Sequence, residues 1–144
     1  MADLKAEQIM AAVLTVVTGL TTTGANVQRD RIVSSDVNYS LSVEQGEDVP
    51  VEELGGAFID SLLNVSVVAF VKQTAAYSTR INLIRKEVYA AVMADRTLGL
   101  AFVKNVVSLG ASNPEAEAGL EKPVVRMAIN FQVLYRHSIT NAST

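Results

Sequence analysis

The chain contains no cysteine and a single histidine, His137. Without thiols there can be no disulfide, no thiolate nucleophile and no cysteine-ligated zinc site. An acid or base working near neutral pH is most readily a histidine. His137 stands beside Arg136 with no acid placed to orient it, so it reads as an ordinary exposed histidine. No serine sits in a G-x-S-x-G elbow, and Gly55-Gly56 and Gly99 lie outside both glycine-rich phosphate-binding frames. Basic residues are short too: 12 Lys and Arg against 15 Asp and Glu leave a net charge of −3, which argues against a domain that binds nucleic acid by neutralising phosphates. Long hydrophobic runs are missing as well. Met10 to Leu20 is interrupted by Thr15, Thr18 and Gly19 and falls short of the about 20 residues a membrane helix needs. The opening Met1-Ala2-Asp3-Leu4-Lys5 lacks the marks of a secretory signal, so a cytoplasmic protein with no membrane partner is expected. Carboxylate pairs such as Glu52 with Glu53, or Glu115 with Glu117, lie in stretches without a calcium-loop pattern or a histidine ligand. Neither a metal, a cofactor nor an enzymatic activity is expected.

What is present is enough apolar residue for a core. Hydrophobic residues make up 49% of the 144 and charged residues 19%, the balance of a folded single domain spanning 1–144 rather than of a disordered chain. Ile9, Val13, Val16, Val17 and Leu20 recur on one helical face and predict a helix from Leu4 to Leu20, ended by Gly19 and the run Thr21-Thr22-Thr23-Gly24. Val27 to Arg31, leading into Ile32-Val33, is a short strand or an extended arm. Val37, Tyr39, Leu41 and Val43 alternate with polar residues as in a strand with one buried face, which Gln45-Gly46-Glu47-Asp48 is expected to break. Glu44, Glu47, Asp48, Glu52 and Glu53, with Pro50 among them, then predict an exposed acidic loop.

Ala57 to Gln73 is apolar on both faces, the pattern of a central strand. Ser78 is placed to cap a second helix with Ile81, Ile84, Val88, Ala91 and Val92 inward, ending near Thr97-Leu98-Gly99. Leu100 to Leu109 reads as a strand with Phe102 and Val106 on one face and Val103 and Val107 on the other, stopping at Gly110. A second acidic connection from Ala111 to Lys122 carries Glu115, Glu117 and Glu121 and makes a long-looped hairpin with the last strand. There Val125, Met127, Ile129, Phe131, Val133 and Tyr135 form the core face and Arg126, Ala128, Asn130, Gln132, Leu134 and Arg136 a mostly wet one. Residues 138–144 form a polar C-terminal tail. The fold class expected is α+β, a largely antiparallel, mixed β-sheet with two helices packed on one face. Arg29 and Arg31, the one small basic cluster outside the second helix, are a candidate subunit interface, donating ion pairs to an acidic loop of a neighbour.

The order of these elements resembles that of the tail terminator proteins of long-tailed bacteriophages. The resemblance runs through the N-terminal helix, the strand Leu41-Ser42-Val43-Glu44-Gln45-Gly46-Glu47 and the aliphatic strand Val65-Ser66-Val67-Val68-Ala69-Phe70-Val71. It continues through the helix and turn Val88-Tyr89-Ala90-Ala91-Val92-Met93-Ala94-Asp95-Arg96-Thr97-Leu98-Gly99 to the closing strand Phe131-Gln132-Val133-Leu134-Tyr135. It implies a structural virion protein without catalytic residues: a hexameric ring at the head-proximal end of the tail, assembled in the host cytoplasm. Such a ring caps the finished tail tube, stops tube polymerisation and offers the head its joining surface. Its partners would be further copies of itself, the tail tube protein and a head-tail connector or stopper protein, with DNA only passing through the lumen. An acidic lumen repels phosphates, so one of the acidic loops is expected to face the lumen or the tube. The alternatives are another neck component, such as a stopper, the tube protein itself, or a small α+β ligand-binding domain or enzyme using Arg126, Asn130 and Gln132.

Overall fold

A computed structural model describes residues 4–30, 38–54, 57–72, 77–117 and 124–138. These form α1 (Lys5–Val17), β1 (Val27–Arg29), β2 (Tyr39–Leu54), β3 (Phe58–Val71), α2 (Tyr77–Met93), β4 (Val103–Ala111), β5 (Glu115–Glu117) and β6 (Val124–Ser138). The six strands make one mixed sheet in the order β1-β2-β3-β6-β4, with β5 also on β6; β1 runs parallel to β2 and every other pair is antiparallel. The α+β class and the central place of β3 are as the sequence predicts.

Both helices lie on one face. Ala6, Ile9, Met10, Val13 and Val17 of α1 and Ile81, Ile84, Val88 and Val92 of α2 join Leu41 and Val43 of β2, the odd-numbered residues Leu63 to Val71 of β3, and Met127, Ile129, Phe131 and Val133 of β6 in a single buried cluster. Helical spacing on one side and period two on the other present matching apolar surfaces. α1 stops at Val17 rather than Leu20. The hydroxyls of Thr15 and Thr18 donate to the carbonyls of Ala11 and Leu14, Thr18 turns extended, and Gly19 follows at φ +89°, so the chain leaves the helix in a left-handed step that glycine alone takes without strain. Glu87 of α2 fastens the turn that follows, accepting from the Thr22 amide at 2.8 Å and the Thr22 hydroxyl at 2.5 Å.

The first acidic stretch is a strand rather than a loop. Glu44, Glu47, Asp48, Glu52 and Glu53 all lie within β2, which pairs with β3 from Tyr39↔Val71 to Leu54↔Phe58 and absorbs its irregular residues as bulges between Gln45 and Asp48 and between Pro50 and Glu52. Gly46 marks the first bulge because a Cβ there would stand 3.1 Å from Asn64 Cβ and 3.2 Å from its carbonyl oxygen. It serves close approach of two backbones, not a turn. β1 covers only Leu41 to Val43, so β2 is an edge beyond Val43 and tolerates Pro50.

Other boundaries also move. α2 begins at Tyr77, so Ser78 is in its first turn and does not cap it, and it ends at Met93. The turn beyond is held by Asp95, whose carboxylate accepts from the Thr97 amide at 3.0 Å and hydroxyl at 2.7 Å. Leu98 and Gly99 follow with φ of +55° and +69°; burial of the Leu98 side chain offsets a conformation unfavourable to any residue with a Cβ. β4 starts at Val103, and a bulge at Lys104 puts Val103 and Val106 together in the core, where strict alternation would separate them. It passes Gly110 and ends at Ala111 through a second bulge. The second acidic connection is in part a strand: Glu115 and Glu117 lie in β5 on the stretch of β6 that β4 leaves unpaired. Ser138 belongs to β6; Glu121, Arg31 and the tail 139–144 lie outside the described residues.

Phe131 is among the largest fully buried side chains and sits opposite Val65 in the middle of the sheet. Phe131→Ala is expected to lower unfolding free energy by about 3–5 kcal/mol through lost transfer energy and the cavity left, read from the midpoint of chemical denaturation followed by far-UV circular dichroism.

Candidate assembly surface

The register separates two faces of the sheet. Residues of β3 with odd numbers lie under the helices, and those with even numbers lie on the opposite face, in rows with their partners: Glu44, Ser66 and Asn130; then Asn64, Gln132 and Val107; then Val49, Leu62, Leu134 and Asn105. This second face is largely polar and self-bonded. The Ser66 hydroxyl donates to Asn130 Oδ1 at 2.7 Å, Gln132 Nε2 donates to Asn64 Oδ1 at 3.2 Å, and the Arg136 guanidinium grips Asp60 at 2.9 and 3.4 Å. Asn130 and Gln132 thus hold cross-strand partners on β3 instead of converging on a pocket.

α2 does not reach the whole sheet. β3 is about 46 Å long at 3.3 Å per residue, whereas α2 spans about 25 Å and starts from the end of the sheet at which β3 finishes. The far part of the β2–β3 hairpin and the end of β6 are held in addition by polar contacts. Tyr135 donates its hydroxyl to Asp48 Oδ2 at 2.5 Å. His137 donates from Nδ1 to the Ser138 carbonyl, which leaves Nε2 to accept the Ser61 hydroxyl at 2.9 Å. Lys5 Nζ donates to the Arg136 carbonyl at 3.0 Å and lies over the Phe102 ring. Burial, and secondly the bond to Asp48, pushes the Tyr135 phenol above its ordinary value. His137 is half-buried and bonded at both nitrogens, not exposed as expected from sequence.

At this fastened end three apolar side chains face solvent: Val49 at 48%, Val51 at 54% and Phe58 at 47% exposure. The bulges put them there. Past Gly46-Glu47 the alternation in β2 reverses, so that Asp48 turns to the helix side and meets Tyr135 while Val49 turns outward beside Leu62. Period-two reading misses this patch. The usable signal is Gly46 between two strand-like runs, which marks a bulge as readily as a turn.

The residues singled out from sequence fall in separate places. Arg29 is engaged within the chain: Nη1 donates to the Glu7 carboxylate of α1, Nη2 reaches Gln45 at 3.5 Å, and Nε lies 3.8 Å from Asp30. The hydrogen bond from Arg29 holds the Glu7 carboxyl below its usual range. The basic segment therefore ties α1 to the sheet edge. Glu47 and Asp48 are exposed on the hairpin and Glu44 is half-buried; in the backbone register Glu52 faces Asp60 and Glu53 faces Ile59. Glu115 lies opposite Arg126 and Glu117 opposite Val124. The first acidic segment thus runs from Glu44, level with Asn130, to Glu53, level with His137, while β5 lies at Val124 to Arg126; its far part, not Glu44, is about 33 Å of strand from β5.

An α+β domain built on one sheet, helices on one side and a long hairpin projecting past them, is the class that this geometry defines. No protein-family model matches the chain, and no curated protein does. A solved chain from the virion of a native gene transfer agent (GTA) particle shares the fold, with a TM-score of 0.55 at 10% identity over 93% of this chain and 89% of that one.

The Tyr135–Asp48 bond gives a pH signature. Because the folded phenol holds its proton more tightly than the unfolded one, its contribution is complete below pH about 10, the ordinary tyrosine value, and is lost as pH rises above it. Tyr135→Phe is expected to cost about 0.5–1.5 kcal/mol at pH 7 and to flatten the alkaline fall in stability, measured by urea denaturation between pH 8 and pH about 11.

Proposed function

We propose that the chain is a structural subunit of a phage-like virion and, within it, the tail terminator: a homo-oligomeric ring, hexameric in this reading, that caps the tail tube, stops its growth and receives the head. The observation that supports this most is the shared fold with a chain of the gene transfer agent virion, which extends over nearly the whole of both chains. The geometry is compatible. The polar residues of the sheet face opposite the helices bond to one another across strands, and apolar side chains are offered to solvent at a hairpin held from behind, as a subunit that works by contact requires. The role involves no catalysis and no cofactor. Its partners are its own copies, the tail tube protein and a head-tail connector or stopper protein, and its place is the head-proximal end of the tail, assembled in the host cytoplasm.

A ring through which DNA passes benefits from a lumen that repels phosphate. The far part of the β2 segment, from Glu47 to Glu53, and the β5 segment serve different surroundings in this reading. In this reading the segment with Glu115, Glu117 and Glu121 faces the lumen or the tube. Lysine at all three positions is expected to impair tail joining or DNA release, counted as joined virions and infectious titre; unchanged values at normal particle yield would remove the lumen assignment.

The role itself is tested by electron microscopy of particles produced when this gene carries an early stop codon. Filled heads beside unjoined tails of abnormal length are expected. Normal joined virions would refute an assembly role, and filled heads with no tails at all would favour a tube component, the second reading.

A further inference from the structure

The hairpin patch has a counterpart on α2. Leu83 and Tyr89 are exposed at 39% and 47%; Leu83 lies opposite the buried stripe Ile81, Ile84, Val88 and Val92, and Tyr89 lies on its flank, about 120° further round the helix. Helical spacing sets Lys86 midway between the two on one i, i+3, i+6 row and Arg85 four residues before Tyr89, so the outer surface alternates apolar and cationic side chains. Arg80 adds a third positive charge one turn earlier. Among the described residues none of the three forms an ion pair, and the one acid in this part of the helix, Glu87, is engaged by Thr22. The hairpin is the inverse: Val49, Val51 and Phe58 exposed on a segment whose charges are Glu44, Glu47, Asp48, Glu52 and Glu53.

The two patches cannot meet within one chain. Val49 and Phe58 lie on the sheet face opposite the helices, by their register with Leu62 and Ser138, whereas the outer side of α2 points away from the sheet on its other face. The sheet stands between them. We propose that the β2–β3 hairpin of one copy docks on the α2 surface of a second copy, apolar residues against Leu83 and Tyr89 and carboxylates against Arg85 and Lys86. Different patches meet, so the contact is heterologous and each copy still offers one free patch of each kind. Repetition closes a ring or extends a filament. This deepens the reading of the chain as a self-assembling subunit, but does not depend on which end of a tail it occupies.

The absence of cysteine makes the contact directly testable with full-length chains. Val51→Cys and Leu83→Cys, each on a separately tagged chain, are mixed and treated with a short bismaleimide. The cross-link between the two kinds of chain is expected to exceed either like-with-like product by about tenfold or more, and to fall at high salt as exposed charge pairs are screened. Adding Arg85→Glu with Lys86→Glu to the Leu83→Cys chain should reduce it about tenfold. Adding Glu47→Lys with Glu52→Lys to the Val51→Cys chain should then restore it. Recovery by the second pair of changes separates loss of contact from loss of fold. Like-with-like products in equal or greater amount would point to a two-fold dimer and overturn the proposal, as would no product or no rescue. Normal tails from the stop-codon genome would refute the terminator role while leaving a positive cross-link intact; a negative cross-link with unjoined tails would do the reverse.

Discussion

β3 is paired along its whole length on both sides, with β2 to the hairpin turn and with β6 to Ser138, and this double pairing dictates the rest of the molecule. Three long strands cannot be covered by two helices of 13 and 17 residues. The helices take the end where alternate residues are uniformly aliphatic, and the far end must be stabilised another way. Polar pairs therefore fasten it: Ser61 with His137, Asp48 with Tyr135. β3 itself has no free edge; beyond Val43 the edge of the hairpin is β2, whose bulges, Pro50 and acidic residues discourage uncontrolled strand addition.

The stiffness of that hairpin matters for recognition. Side chains displayed on a paired, cross-bonded support lose little freedom on docking, which lowers the entropic cost of association. Charge on such a support also selects the angle of approach before apolar contact forms. The described part of the second acidic segment, β5, is held on the stretch of β6 that β4 leaves unpaired, away from the hairpin's tip.

Much of this is legible without coordinates. α1, α2, the centrality of β3 and the inward face of β6 all follow from periodicity, because apolar spacing sustained over three or more turns, or over ten strand residues, rarely arises by chance. The misread courses of β2 and β4 share one cause. Gly46, Lys104 and Leu109 sit at bulges, where one extra residue leaves composition unchanged but reverses alternation, and strand content is underestimated wherever acidic or glycine residues suggest loops. β5 escapes because three residues carry no periodic signal; only the spare edge of β6 creates it. Arg29 illustrates what sequence leaves out at a site: its guanidinium has a partner within the chain, Glu7 of α1, that only the fold brings beside it. The α2 patch is invisible for the opposite reason, since an exposed Leu or Tyr among charged residues is ordinary on any helix and gains meaning only beside a complementary surface.

The bulge at Gly46 also bears on how such a protein can change over evolutionary time. Strand alternation is a parity, and an insertion or deletion of one residue inverts it for everything up to the next irregularity. In β2 that interval, between Gln45 and Glu52, contains Asp48, which fastens the hairpin, and Val49, which is displayed by it. A lineage that dropped the glycine would exchange these two at a stroke, hiding the valine and unfastening the tyrosine, with every other residue intact. The docking end of the hairpin can thus be rewritten by indels as much as by substitution, whereas the helix-covered half, which lies outside the interval, keeps its pattern. Chains sharing this architecture are therefore free to diverge almost completely in what they touch, while the buried half continues to hold them to one shape.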